Sequence, residues 1–173
     1  MGDFQISNHM LRDEIELAIK ELNINRRDFF EVNKYKWHDI IKKIVRSFVL
    51  TKNYKNADDL HWAWQYFKEP VECFVFDDDQ VYEHLKEVLG SEHVWFIAED
   101  IFDKMWLYEA KANLIPKVLG ETSGFEYYIV SKKYNWLLCE NHHSGLFAVG
   151  NYIIEKCAAI WQPISIIRDY DKS

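Results

Sequence analysis

Tyr127-Tyr-Ile-Val-Ser-Lys-Lys-Tyr-Asn-Trp-Leu-Leu-Cys-Glu-Asn-His-His-Ser-Gly145 decides the fold of this chain. Two apolar, aromatic-rich runs, Phe125–Val130 and Trp136–Glu140, flank a short polar turn, which predicts a β-hairpin. Leu146–Val149 follows as a further short strand. Upstream, His93–Ala98 is a continuous apolar run of the kind found in a central strand covered on both faces. Lys104–Glu109 is its expected neighbour across a link of hairpin length, Glu99–Asp103. Cys73–Phe76 reads as another short buried strand.

Helices frame this β-rich stretch. Leu11, Ile15, Ala18, Ile19 and Leu22 recur at helical spacing, with Ser7 or Asn8 as the expected N-cap and Asn23–Asn25 as the stop. Trp37, Ile40, Ile41, Ile44, Val45 and Phe48 form a second apolar stripe, with Lys42, Lys43 and Arg46 off it. Leu60–Phe67 fits a strand or a short helix equally. Asp77 as N-cap with Gln80 three residues on predicts a capping-box start. The helix it opens would carry Val81, Leu85, Val88 and Leu89 and stop at Gly90. A short helical segment spans Asn113–Leu119, and Ile153, Ile154, Cys157, Ala158 and Trp161 describe a closing helix ended by Pro163. The expected architecture is a single α+β domain over 1–173. N-terminal helices pack on a mainly antiparallel sheet of about four to six strands, with a C-terminal helix closing it.

Composition agrees with one packed domain. Hydrophobic residues make up 49% of 173 positions, with seven Trp, ten Tyr and eleven Phe, whereas disordered chains are depleted in these residues. No apolar run approaches the roughly 18–20 residues of a membrane-spanning helix. The N-terminus lacks the basic start and apolar core of a secretory signal, and Ile6 occupies the position where myristoylation needs Ser or Thr. Cys73, Cys139 and Cys157 are widely spaced among apolar neighbours, as expected of buried thiols in a reducing compartment. A cytoplasmic location without membrane contact follows as the expectation.

Charge is unevenly distributed. Residues 20–56 carry ten Lys or Arg against four acids, while residues 69–109 carry twelve acids against Lys86 and Lys104. The net charge of −7 argues against nucleic acid, whose phosphates require a basic footprint. The acidic segment would instead steer a basic protein partner.

Glu140-Asn141-His142-His143 is where titratable and amide side chains crowd together, so Glu140, His142 and His143 are the catalytic candidates. Strand alternation sends neighbouring side chains to opposite faces, which makes adjacent histidines poor chelators of one ion, and no metal or cofactor is expected. Acid–base chemistry would need a partner distant in sequence. The competing reading is a turn whose Asn, His and Ser cap backbone groups, with Gly145 at positive φ. Cys139 beside them lies in an apolar strand, which raises a thiol's pKa. Asp77-Asp78-Asp79 lacks the alternation and central Gly of a calcium loop. Together with Glu83 these acids are candidates for partner binding. Trp106, Tyr108, Tyr127 and Tyr128 fall on both faces of their strands, so the sheet is either covered twice or offers an aromatic face for binding. No Gly-rich phosphate loop and no nucleophile elbow is present.

At Lys104–Glu109 and Tyr127–Gly145 the chain resembles a group of uncharacterised small bacterial cytoplasmic proteins, in which a Tyr-Tyr-Ile-Val hairpin runs into Trp-Leu-Leu-Cys-Glu-Asn-His-His. It also looks like the immunity proteins that neutralise polymorphic toxins, which are small, acidic α+β modules that occlude their toxin. The resemblance covers about the last 80 residues and carries no functional residue over. Its implication is a non-enzymatic binding module, for which the acidic segment suggests a basic partner. The alternative is a hydrolase or transferase built on the Glu140–His143 turn, with or without a metal.

Overall fold

In the computed structural model, which describes residues 10–52, 60–101 and 103–165, the predicted hairpin forms. Strand β5 (Glu126–Ser131) pairs antiparallel with β6 (Leu137–Glu140), Tyr127 opposite Glu140 and Val130 opposite Leu137. Strand β7 (Leu146–Val149) adds to β6, and β2 (Val71–Phe74) closes that edge. On the other side β5 pairs with β3 (His93–Glu99), β3 with β4 (Met105–Lys111), and β4 with β1 (Phe29–Glu31). The sheet therefore has seven strands in the order β1-β4-β3-β5-β6-β7-β2, all antiparallel. That exceeds the expected four to six. The addition is β1, whose three residues are too short to show a period and which is defined by its pairing with Ala110, Glu109 and Tyr108.

Alternation along these strands sorts their side chains into two cores. Phe96, Ala98, Tyr108, Tyr127, Ile129, Leu138 and Leu146 share one cluster with α1 (Met10–Glu21), α3 (Val81–Leu85), α4 (Ile115–Gly120) and α5 (Asn151–Ala158). Ile97, Leu107, Tyr128, Val130, Leu137, Cys139 and Phe147 share the other with α2 (Lys34–Phe48) and the Leu60–Phe67 segment. Both faces are covered, which is why the strands read as apolar runs without clear alternation.

The helices follow from local chemistry. The side chain of Asn33 caps α2 by accepting from the Tyr35 N–H at 3.1 Å, and Ile41, Ile44, Val45 and Phe48 bury its apolar stripe. Asp77 does not cap α3. Gln80 holds that position without a side-chain cap bond, and Asp78 accepts instead from the Gln80 N–H at 3.0 Å and lies 3.0 Å from His84 Nε2. The helix also ends at Leu85, short of Gly90, although Val88 and Leu89 remain buried. The Leu60–Phe67 ambiguity resolves as a 3-10 turn over Ala63–Tyr66. The expected N-caps Ser7 and Asn8 lie outside the described residues. No described helix is long and apolar enough to cross a membrane.

Gly150 joins β7 to α5 at φ 98°, and an added Cβ would stand 2.4 Å from the Asn135 carbonyl oxygen. Backbone lies on the far side of that overlap, so no side chain can swing away. Gly150→Ala is expected to cost about 2 kcal/mol, measured as a lower urea midpoint. An unchanged midpoint would show that the junction can move.

Candidate functional site

Antiparallel register places Glu99, the last residue of β3, directly opposite Glu126, the first of β5. At the same end of the sheet β6 finishes at Glu140, β7 begins, and β2 runs out into Asp77–Asp79. Acids scattered over the sequence thus converge on one sheet end. There Glu99, Asp100, Asp103, Glu126 and Glu140 line a cleft of about 400 Å³ together with His61, His142, Trp62 and Phe125. Among the described residues, no Lys or Arg lines it.

Glu99 is the deepest of these acids, 6% exposed. Its Oε1 is hydrogen-bonded to His61 Nδ1, and Asp103 Oδ1 stands 3.4 Å from the same nitrogen. Its Oε2 is buried and finds no hydrogen-bond partner among the described residues. Burial pushes the Glu99 carboxyl up to about 7. The His61 bond opposes this and the Glu126 charge adds to it. Neutralising a carboxyl is the usual response when water is removed from it.

Glu126 is also buried but better satisfied. Its Oε2 accepts from the His142 backbone N–H at 3.3 Å and lies 3.2 Å from His142 Nδ1. The Tyr128 hydroxyl donates to the Leu60 carbonyl at 2.7 Å and lies 3.1 Å from Glu126 Oε1. Tyr128 thereby pins the segment carrying His61 onto the sheet. Trp62, half exposed at φ 58°, sits with its ring 5.4 Å from the His61 ring and 6.2 Å from that of His142.

The predicted cluster divides. His142 enters the cleft and meets Glu126, a distant acid of the kind the acid–base reading requires. Glu140 lines the cleft too. Its carboxyl is raised by burial and held back by the Tyr127 hydroxyl. His143 packs instead against His142 and the edge of Trp64, at 4.0 and 6.1 Å between rings. Asn141 organises the turn as expected, its Oδ1 accepting from the N–H groups of His143 and Gly145 at 3.1 and 3.0 Å. The left-handed residue of that turn is Ser144 at φ 59°, not Gly145. Gly145 serves close packing, since a Cβ there would lie 3.3 Å from both Asn141 Oδ1 and Cys73 Sγ.

The remaining candidates are separate. Asp77, Asp78, Asp79 and Glu83 are exposed and lie outside the cleft wall. Trp106, Tyr108, Tyr127 and Tyr128 are at most 4% exposed. They therefore cannot form an open aromatic face, because helices or the Leu60–Phe67 segment cover both sides of the sheet. Cys139 is buried and its thiol is pushed well above the usual range by desolvation, while Cys73 and Cys157 rise to about 11 and about 12. None of the three is an activated nucleophile.

From the sequence His61 reads as a surface or satisfied core histidine, and Glu99, Asp103 and Glu126 belong to no motif. One signal was available. Glu99 and Glu126 each sit at the end of an apolar strand run, where a carboxylate either reaches water or serves a site. Their pairing was not available, because it depends on how β3 and β5 register.

No curated protein and no solved structure matches the chain. A family model does match, over residues 7–160, and its span takes in the N-terminal helices as well as the hairpin region. The chain belongs to the family of unknown function DUF6756.

Proposed function

We propose that the protein is a non-enzymatic binding module whose acidic cleft receives a cationic group from a basic protein partner. The observation that carries this reading is the cleft lining: five acidic residues, two histidines, and no Lys or Arg among the described residues. Low-dielectric walls focus the field of such a cluster outward. The half-exposed indole of Trp62 supplies a face on which an ammonium or guanidinium can rest. Asp77–Asp79 follow β2 where it ends at the same sheet end, and their exposed charges would add to the negative field there. In the immunity-type form of this reading, the partner is a toxin whose basic surface is occluded here.

The test uses a labelled oligo-arginine peptide as a surrogate for the basic surface, followed by fluorescence anisotropy at several salt concentrations. The Glu126→Gln, Glu140→Gln double variant is expected to weaken binding about tenfold and to flatten its salt dependence. A control that removes the same charge elsewhere, Glu21→Gln with Glu155→Gln, should leave binding within a factor of about two. Equal losses in the two double variants would reduce the effect to net charge and overturn the reading.

A further inference from the structure

We infer that the inner corner of the cleft is a divalent-cation site of the zinc class, with His61, Glu99 and Asp103 as its protein ligands. The inference rests on the cleft being a cation site and names the ion at its deepest position. Glu126, Glu140 and Trp62 then remain for the partner's group.

Three observations support it. One donor atom from each of His61, Glu99 and Asp103 lies within 4.8 Å of the others. Donors around a tetrahedral ion at about 2.0–2.1 Å stand roughly 3.3 Å apart, and His61 Nδ1 and Asp103 Oδ1 are already 3.4 Å apart. Glu99 Oε1 is drawn closer to His61 than that, as expected when a hydrogen bond takes the place of a shared ion. Glu99 Oε2, in a residue 6% exposed that lines the cleft, has no hydrogen-bond partner among the described residues. A buried carboxylate oxygen left in that state costs free energy, and coordination through both Glu99 oxygens would remove the cost.

The donor set selects the ion. Two carboxylates and an imidazole present a charge of −2 with one nitrogen, which suits zinc and its neighbours better than the all-oxygen preference of magnesium or calcium. Three protein ligands leave a fourth position open towards the cleft, the arrangement of sites that exchange ligands rather than of closed structural ones. Asp103 is exposed and gives the ion a route in.

The experiment is titration of the full chain, stripped with EDTA, with Zn²⁺ against a fluorescent chelator. Binding of one equivalent is expected, with affinity reduced about tenfold or more in Glu99→Gln and in Asp103→Asn. The exposed Asp103 keeps the test valid if the buried substitution disturbs folding. Mg²⁺ at the same concentration should not compete. Binding that survives Asp103→Asn but is lost in the His142→Ala, His143→Ala double variant would move the ion elsewhere and overturn the inference. So would the absence of stoichiometric binding. Oligo-arginine binding without zinc binding would overturn the metal site alone, and zinc binding without the peptide effect would overturn the partner reading alone.

Discussion

Glu99→Gln is expected to stabilise the metal-free protein by on the order of 3 kcal/mol at pH 8 and to leave its stability unchanged near pH 4. Unfolded, the Glu99 carboxyl titrates near its ordinary value of 4.5; folded, burial raises it to about 7. Between those values the folded state holds a proton that the unfolded state has released, so stability falls as pH rises through that window. Below it both states are protonated and nothing is lost. Above it the folded protein carries a buried carboxylate, and the full penalty applies. Glutamine keeps the shape and cannot ionise, so its curve should lack the decline. Urea unfolding of both proteins in EDTA from pH 4 to pH 9 measures the difference. Parallel curves would show that Glu99 is solvated well enough to stay charged.

Phe96→Ala should remove about 3–5 kcal/mol at any pH. The ring sits in the middle of β3, fully buried, with Phe29, Tyr108, Tyr127 and Phe125 at centroid distances of 5.8, 6.3, 6.1 and 6.4 Å. Those neighbours come from β1, β4, β5 and the segment leading into it, so none can fill the void without moving a strand. Denaturant unfolding at a single pH tests this. A loss below about 1 kcal/mol would mean that the aromatic cluster collapses around the gap.

The α+β class, the two hairpins and the apolar faces of α1, α2 and α5 were legible because each depends on residues close together in sequence. Ile41, Ile44, Val45 and Phe48 announce one buried helix face whatever they pack against. The cleft was not legible in the same way. His61 and Glu99 are 38 residues apart, and Glu126 reaches Glu99 only through the β3–β5 register. His142 was legible as a candidate, but the acid that meets it comes from 16 residues upstream. Aromatic residues on both faces of the strands left two readings open, a sheet covered twice or one with an open aromatic face, and the structure has both sides covered.

The pairing of Glu99 with Glu126 also bears on how the sheet finds its alignment. In a half-wet sheet, sliding one strand by a residue exposes its apolar set, and that cost selects the register. Here both faces are dry, so an apolar side chain is accommodated on either, and sliding β5 against β3 would be penalised far less. A carboxylate is not so tolerant. If β5 slipped inward, Glu126 would enter the aliphatic and aromatic interior and lose the His142 N–H and ring that meet it at the cleft. Glu126 therefore acts as an end-stop, its need for polar partners fixing an alignment that hydrophobic patterning leaves open.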